Sequence, residues 1–553
     1  MHELERRTGF IFAAFLALLV VAAGRTLYLD VVRGASLRRV ASEEHITDET
    51  VDAPRGAMTD RNGSELAVSE PAQELAADPH LITEPLADAR KLAPLLGRSS
   101  QDILVKLSEH AGFVYLARAL PQRRAEQVLA LRIPGLSATP VMRRVYPRGT
   151  LASQALGFVG TDGEGLTGLE YSQNSLLRGH PGKRRVVSDA RGQPVSISEP
   201  ARDRAGKSLS LTLDANVQQR AEDVLAAVGR VFAPKDATAI VMDPRSGALL
   251  AVANWPSLDA NHAAASSTAA LQDRAVSFTY EPGSTFKVIA IAAALQQGLI
   301  GPETTFNVPD QIQVAEKTIH DDNEHPEETL TASQILARSS NVGAIEIGKL
   351  EGAETFSRWV RRFGFGARTG VELASEEQGF TLPLEKYSGS SMGNLPIGQG
   401  ELVTPMQMAS AYAAIANGGV LAPAHIINAV GGHQLHAPSG RRVISARTAA
   451  QLRRMLEGVL GPEGTASQVS IPGYKLAGKT GTANKIDPAT GEYSQNAYVA
   501  SFIGFAPASH PRLLCAVVVD EPQTGSIYGG SVAAPAFAQI MGFALPYLGV
   551  APE

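Results

Sequence analysis

The sequence is nearly without cysteine: Cys515 is the one thiol in 553 residues. A lone thiol excludes an internal disulfide and a multi-cysteine zinc site. Because it lies in the apolar run Leu513-Leu514-Cys515-Ala516-Val517, it reads as a small buried hydrophobe. Aromatic residues are scarce as well, at 6% with two Trp, which argues against a stacking platform for single-stranded nucleic acid. A surplus of positive charge is also missing. Lys and Arg number 50 against 55 Asp and Glu, a net charge of −5, so nothing is set up to neutralise a phosphate backbone. After the first thirty residues no second apolar run is long enough to span a bilayer, which excludes a polytopic channel or transporter. No internal repeat is found. What is present is an ordinary globular balance, 44% hydrophobic and 19% charged, which excludes a mostly disordered chain. The length allows about three to five domains, or fewer if one is large.

Thr8 to Gly24 reads TGFIFAAFLALLVVAAG and carries no charge. At 1.5 Å per residue it extends about 26 Å, close to the apolar thickness of a bilayer. Leu27, Tyr28 and Leu29 prolong it beyond Arg25, which can snorkel. A buried core helix and a signal peptide cleaved near Ala22-Ala23 are the competing readings. An uncleaved anchor is preferred because the helical pattern runs on through Tyr28-Leu29-Asp30-Val31-Val32. The expected order is a cytoplasmic tail over 1–7 and a transmembrane anchor over 8–29. Arg6 and Arg7 precede the span while Arg25, Arg33, Arg38 and Arg39 follow it, so counting charges does not orient it.

Residues 30–215 are rich in short extended runs and turns, with a hairpin-type turn at Arg61-Asn62-Gly63 and a strand at Leu209 to Leu213. Two helices interrupt them, Leu86 to Ala93, ended by Pro94, and Gln122 to Leu131. From 216 the texture changes. Val217 to Val228 is an amphipathic helix, and Ala237 to Met242 pairs with Ala248 to Ala253 across Asp243 to Gly247. Helices recur over 284–297, 332–350, 406–417 and 447–460, and strands return near 498–506 and 513–519. The stretch 420–446 reads as an insertion or short hairpin. Strands, then helices, then strands predict a layered α/β domain over 216–549.

Two motifs mislead. Gly473 to Thr480 matches the phosphate-loop pattern GxxxxGKT, but neither a strong apolar strand before it nor a helix after it is predicted, so no nucleotide site is expected. Gly163 to Gly168 matches GxGxxG outside any βαβ context and reads as a loop. The cluster His320-Asp321-Asp322-Asn323-Glu324-His325 lacks the helical spacing of a catalytic zinc site, so a solvated loop is preferred to a metal site.

A third constellation is mutually supporting. In Tyr280-Glu281-Pro282-Gly283-Ser284-Thr285-Phe286-Lys287, Pro282-Gly283 makes a turn and a helix follows from Ser284 to Gln297, stopped at Gly298. Ser284 then sits at a helix amino-terminus, where free N–H groups favour a developing oxyanion. Lys287 lies three residues on, one turn away. A lysine can act as base to a serine only if burial or a second cation depresses its pKa. Ser339-Ser340-Asn341 falls near the middle of 332–350 or on a break in it, and Lys479-Thr480-Gly481-Thr482 follows. S-x-x-K, S-D-N and K-T-G form the signature shared by penicillin-binding proteins and class A β-lactamases.

At these residues the chain resembles the class B penicillin-binding proteins, the monofunctional peptidoglycan D,D-transpeptidases. Arg55-Gly56, Asp60-Arg61-Asn62-Gly63 with Leu66-Ala67, Arg144-Val145-Tyr146-Pro147 and Gly168-Leu169-Glu170 look like that family's pedestal motifs. Gly398-Gln399-Gly400, Thr404-Pro405 and Asn417-Gly418-Gly419 look like its transpeptidase signatures. The second motif reads Ser-Ser-Asn rather than Ser-Asp-Asn, a position at which the family varies. Tyr280-Glu281-Pro282-Gly283, and a chain ending soon after its last helix, lean towards the division-specific branch similar to FtsI.

The resemblance implies one transmembrane helix, an extended mostly-β pedestal over 30–215, and a transpeptidase domain whose central antiparallel sheet is flanked by helices. It implies Ser284 as nucleophile, Lys287 as its base, Ser339 as proton relay, Asn341 as positioner, and Lys479 as the charge beside Lys287. Ser340, Thr480, Gly481 and Thr482 would bind substrate, with no cofactor or metal. Stem peptides, β-lactams, a SEDS-family glycan polymerase similar to FtsW and other division-complex membrane proteins are the implied partners. The implied location is the cytoplasmic membrane, crossed once, with the catalytic part outside. An elongation-specific transpeptidase stays open, as does a β-lactam hydrolase or sensor in which Glu376 or Glu377 deacylates. So does a non-enzymatic scaffold.

Overall fold

The computed structural model describes residues 2–31, 46–188, 194–487 and 489–553. The chain forms two compact units, one from Met1–Pro54, Pro71–Met142 and Gly179–Gly206, the other from Arg55–Glu70, Arg143–Arg178 and Lys207–Glu553.

In the first unit, helix α1 (His2–Val31) contains the apolar span Thr8–Leu29, and its side chains from Thr8 on are exposed where described. Among the described residues it is the one helix long and apolar enough to cross a membrane. A small core gathers Leu75, Leu92, Ile103, Leu116 and Val128 from the paired strands Glu65–Ala77 and Val114–Pro121 and the helices around them. One of these helices corrects the sequence reading. It runs Pro85–Leu96 with Pro94 inside, and Gly97 ends it at φ +63°. Pro94 occupies the last turn, where the missing N–H breaks one bond of the helix without undoing the turns before it. A three-stranded antiparallel sheet places Gly182–Ser188 between Ile46–Val51 and Pro194–Ala201.

The second unit is built on five antiparallel strands. They are β1 (Asp236–Met242), β2 (Leu249–Trp255), β3 (Ala477–Ile486), β4 (Tyr493–Ala506) and β5 (Leu513–Asp520), in the spatial order β2-β1-β5-β4-β3. Period-two alternation divides the sheet's side chains between two cores. Ile240, Met242, Leu514, Ala516 and Val518 face helices α3 (Lys287–Gln296) and α6 (Pro405–Ala416). Ala239, Val241, Cys515, Val517 and Val519 face α2 (Ala215–Phe232) and α7 (Gly529–Tyr547). Cys515 is fully buried, as its apolar neighbours require. A helix apolar all round belongs in a core, and every residue of α3 except the last is buried.

The stretch 420–446 forms two short antiparallel pairs, Val420–Leu421 with Arg441–Arg442 and Ile427–Val430 with His433–Gln434. Three of the pedestal motifs converge within this unit. The Glu170 carboxylate, wholly buried, accepts from Arg55 Nε and from Arg144 Nε at 2.7 Å, and Tyr146 donates to it at 3.3 Å. Two guanidiniums around one carboxylate satisfy a charge that burial would otherwise make costly.

Candidate active site

Ser284 does not begin an α-helix. It lies in a 3₁₀ turn, Gly283–Phe286, and α3 starts at Lys287. In a 3₁₀ turn residues i and i+3 eclipse, which sets Lys287 on the Ser284 side of the turn. Gly283, at φ +52°, donates to the Gly398 carbonyl at 3.1 Å, and Tyr412 hydroxyl donates to the Thr285 carbonyl at 2.7 Å. The Glu281 carboxylate accepts the Gly400 N–H at 2.8 Å and the Tyr493 hydroxyl at 3.0 Å. The turn is thereby fixed on several sides. Ser284 is half-buried, and among the described residues its hydroxyl has no hydrogen-bond partner.

The second motif sits on a break. Helices α4 (Ala332–Arg338) and α5 (Asn341–Glu351) are separated by Ser339, at φ +65°, and Ser340. On a continuous helix positions i and i+2 point about 200° apart. The break instead turns Ser339 and Asn341 to one side, where both meet Lys287. Lys287 Nζ donates to the Ser339 carbonyl, to Asn341 Oδ1 at 2.7 Å and to Ser339 Oγ at 3.3 Å. Lys479 Nζ donates to the same Ser339 Oγ at 2.9 Å and to the Thr480 carbonyl at 3.2 Å. One hydroxyl therefore bridges two buried amines.

Among the described residues neither amine has a carboxylate bonded to it, and both are wholly buried. Burial pushes Lys287 down to about 8, with Asp322 and Asp321 opposing. Burial also pushes Lys479 well below the usual lysine range, and the charge of Lys287 adds to it. Two ammonium groups sharing one hydroxyl cannot both stay charged cheaply in a desolvated site. This pair can hold one proton and offer the other amine as a neutral base.

β3 is the edge of the sheet and passes against the turn that carries Ser284. Glycine is required there for close approach. A Cβ on Gly481 would lie 2.9 Å from Thr285 Cγ2 and 3.2 Å from the Pro282 carbonyl oxygen. The apparent phosphate loop is therefore a strand edge, followed by β4 and no helix. Thr482 Oγ1 accepts the Gly529 N–H at 3.1 Å.

Lys287, Ser339, Asn341, Lys479 and Thr480 are thus joined by hydrogen bonds, with Ser284 beside them on its turn. Ser340 lies outside this set, since its hydroxyl accepts the Gly343 N–H at 2.9 Å and donates to Asp321 at 2.7 Å. Three contributors escaped the sequence reading. Thr465 shares a 2.6 Å hydroxyl contact with Thr480, and Tyr493 holds Glu281. The third is the loop expected to be solvated, which is instead bonded to the second motif. The His320 carbonyl accepts from Asn341 Nδ2 at 2.9 Å, and Asp321 takes several further bonds from 340–342. The density of titratable groups in 320–325 was the one sequence signal for it. No group of three metal-ligating side chains forms among the described residues. Glu376 is held in its own loop, accepting the Thr369 and Gly370 N–H groups at 2.7 and 3.1 Å.

The penicillin binding protein transpeptidase domain matches residues 237–542, and the penicillin-binding protein dimerisation domain matches 50–211. The chain is 35% identical to penicillin-binding protein PbpB of Mycobacterium tuberculosis, over 98% of this chain and 84% of that protein. It is 31% identical to peptidoglycan D,D-transpeptidase FtsI of Escherichia coli, over 99% and 92%. The crystal structure of penicillin binding protein 3 from Mycobacterium tuberculosis, complexed with aztreonam, superposes with a TM-score of 0.72 at 30% identity, covering 91% of this chain and 98% of that one. With a transpeptidase model spanning more than half its length and relatives matched almost end to end, the chain belongs to the class B penicillin-binding proteins, as a serine-type peptidoglycan D,D-transpeptidase.

Proposed function

We propose that Ser284 is the nucleophile of an acyl-enzyme that cross-links peptidoglycan stem peptides, and that the same serine is acylated by β-lactams. The observation that carries this reading is a hydroxyl free of partners one 3₁₀ turn from a buried amine of depressed pKa. Lys287, when neutral, takes the Ser284 proton as Oγ attacks the carbonyl between the two terminal D-alanines. The N–H groups of Ser284 and Thr482 receive the oxyanion. Ser339 passes a proton to the departing D-alanine, Asn341 holds Lys287, and Lys479, Thr480 and Thr482 bind the terminal carboxylate. The amine of a neighbouring stem then attacks the acyl carbonyl, the new amide forms, and Ser284 Oγ leaves with a proton.

The role belongs to septal synthesis, with the catalytic part outside the cytoplasmic membrane and α1 and the pedestal beside an FtsW-like SEDS polymerase. The Tyr280-Glu281-Pro282-Gly283 context and the FtsI relative support it. Depletion should give filaments that fail to divide; rounded cells would assign it to elongation. Exchange of α1 for an unrelated span should weaken the complex; unchanged assembly would make Leu16, Leu19 and Val20 only lipid-facing.

The chemistry is tested with the full chain in detergent and a fluorescent penicillin, with Ser284→Ala as control. Label that persists for minutes and is absent from the variant is expected. Label that vanishes within seconds would make the protein a hydrolase, and label retained by Ser284→Ala would refute the nucleophile.

A further inference from the structure

The loop after the strand Lys317–His320 carries a cluster that this chemistry leaves unused. Helix α5 begins at Asn341, and its first N–H groups need acceptors from outside the helix. Ser340 Oγ takes the Gly343 N–H. One oxygen of Asp321 takes the Asn341 and Val342 N–H groups, the latter at 3.0 Å, while the other accepts from Ser340 Oγ at 2.7 Å. A carboxylate at this point also complements the positive end of the helix.

The same loop orients Asn341. Its Nδ2 donates to the His320 carbonyl at 2.9 Å and to Asp322 Oδ1 at 3.3 Å, which leaves Oδ1 to face Lys287. Asp321 and its neighbours therefore set the direction of the amide that holds the base.

His325 completes the arrangement. Its Nδ1 lies 2.8 Å from the Pro326 carbonyl and its Nε2 lies 3.1 Å from Asp321 Oδ2. Both partners are acceptors. A neutral imidazole has one N–H, so one of these contacts would set a lone pair against an oxygen; only the imidazolium satisfies both.

We propose that Asp321 and His325 are positioning residues for the transpeptidase reaction, the His325 proton locking Asp321 onto the start of α5 and so keeping Asn341 on Lys287.

The charges facing His325 favour that proton. Asp321 is bonded to it, and Glu328 lies 3.7 Å from Nδ1 while sharing Arg338 with Glu463. Asp322 is turned to Asn341. The Pro326 carbonyl first, then Asp321 and Glu328, raise the His325 pKa above the ordinary imidazole range, against some desolvation. The sign follows. The locked geometry is present below that pKa and is lost as pH rises through it.

This inference rests on the serine reading above, and one experiment separates the two. The full chain in detergent is acylated with fluorescent penicillin from pH 6 to 10, and the concentration dependence separates the acylation rate constant from binding. The wild type should slow on the alkaline side. His325→Gln offers Asp321 a side-chain N–H that does not titrate, so its rate at pH 7 should stay within about threefold and the alkaline fall should vanish. Asp321→Asn should lower the acylation rate constant by about 10- to 100-fold with little change in binding, because the base is misplaced rather than removed. An alkaline fall that survives His325→Gln, as titration of Lys479 would give, overturns the proposal. So does a folded Asp321→Asn that acylates normally. If Asp321→Asn does not fold, the His325→Gln profile decides alone. A wild type that takes no label at any pH overturns the serine reading itself, and this inference with it.

Discussion

Glu401 provides the sharpest test of the electrostatics around the Ser284 turn. It lies on the segment whose Gly398 carbonyl and Gly400 N–H hold Gly283 and Glu281. Its side chain is 1% exposed, and among the described residues neither carboxyl oxygen has a hydrogen-bond partner. Burial pushes its pKa up to about 8. In the unfolded chain the group ionises near 4.5. Between those values the folded state holds a proton that the unfolded state has released, so stability falls as pH rises. At roughly 1.36 kcal/mol per unit, raising the pH from 5 to 8 removes about 3–4 kcal/mol. For a unit of roughly 400 residues with about 2.1 cal/mol/K of unfolding entropy per residue, that is a shift of about 4 °C in Tm. Glu401→Gln abolishes the titration while keeping the shape. Calorimetry of the full chain in detergent at pH 5 and 8 should show the variant gaining about 4 °C on the wild type over that range. Glu351, buried and pushed up to about 9, acts equally in both proteins and cancels. Parallel Tm profiles would refute the argument and place the Glu401 carboxylate in contact with water or a cation.

Two further outcomes follow from the site geometry. With Lys287 as the proposed base, acylation of His325→Gln, where no alkaline fall is expected, should drop about tenfold per pH unit below about 8, to about 100-fold below the plateau at pH 6. Stopped-flow labelling checks this, and a flat profile from pH 6 to 8 would exclude a lysine base. Gly481→Ala brings a Cβ within 2.9 Å of Thr285 and should shift the nucleophile turn, lowering acylation about 100-fold while stability drops by about 1–3 kcal/mol. An unchanged rate would show that the gap between turn and strand is not catalytically tuned.

Much of the fold was legible because local pattern and tertiary role agree. The short uninterrupted apolar run of β5 reads as a strand buried on both faces, and those two faces enter two separate cores. The three short motifs were legible because each keeps its residue types at fixed spacing. Their setting was not. Nothing in Ser339-Ser340-Asn341 decides between a continuous helix and the left-handed residue that splits 332–350, because serine carries no intrinsic preference for positive φ. The same holds for Ser284, where a 3₁₀ turn differs from an α turn by one hydrogen-bond register that composition does not encode. Pro94 signals a stop only at the cost a proline carries in a helix interior, and in the last turn of Pro85–Leu96 that cost is smaller. Thr465 is invisible to local reading, and Asp321 shows only as part of a dense titratable cluster, since each acts on a residue 15 or more positions away.

The bridging of two amines by Ser339 has a consequence for recognition. Lys479 spends its donors on Ser339 Oγ and on Thr480. If Lys479 binds the terminal carboxylate as proposed, an arriving carboxylate meets an amine already solvated by the protein and must exchange for those oxygens, so affinity reflects a difference between two well-satisfied states. Such a site discriminates weakly in equilibrium binding. On the proposed mechanism its selectivity appears in the rate of the covalent step, where only a carbonyl seated over Ser284 would be converted, and inhibitors that remain attached would gain their potency from time rather than from tightness.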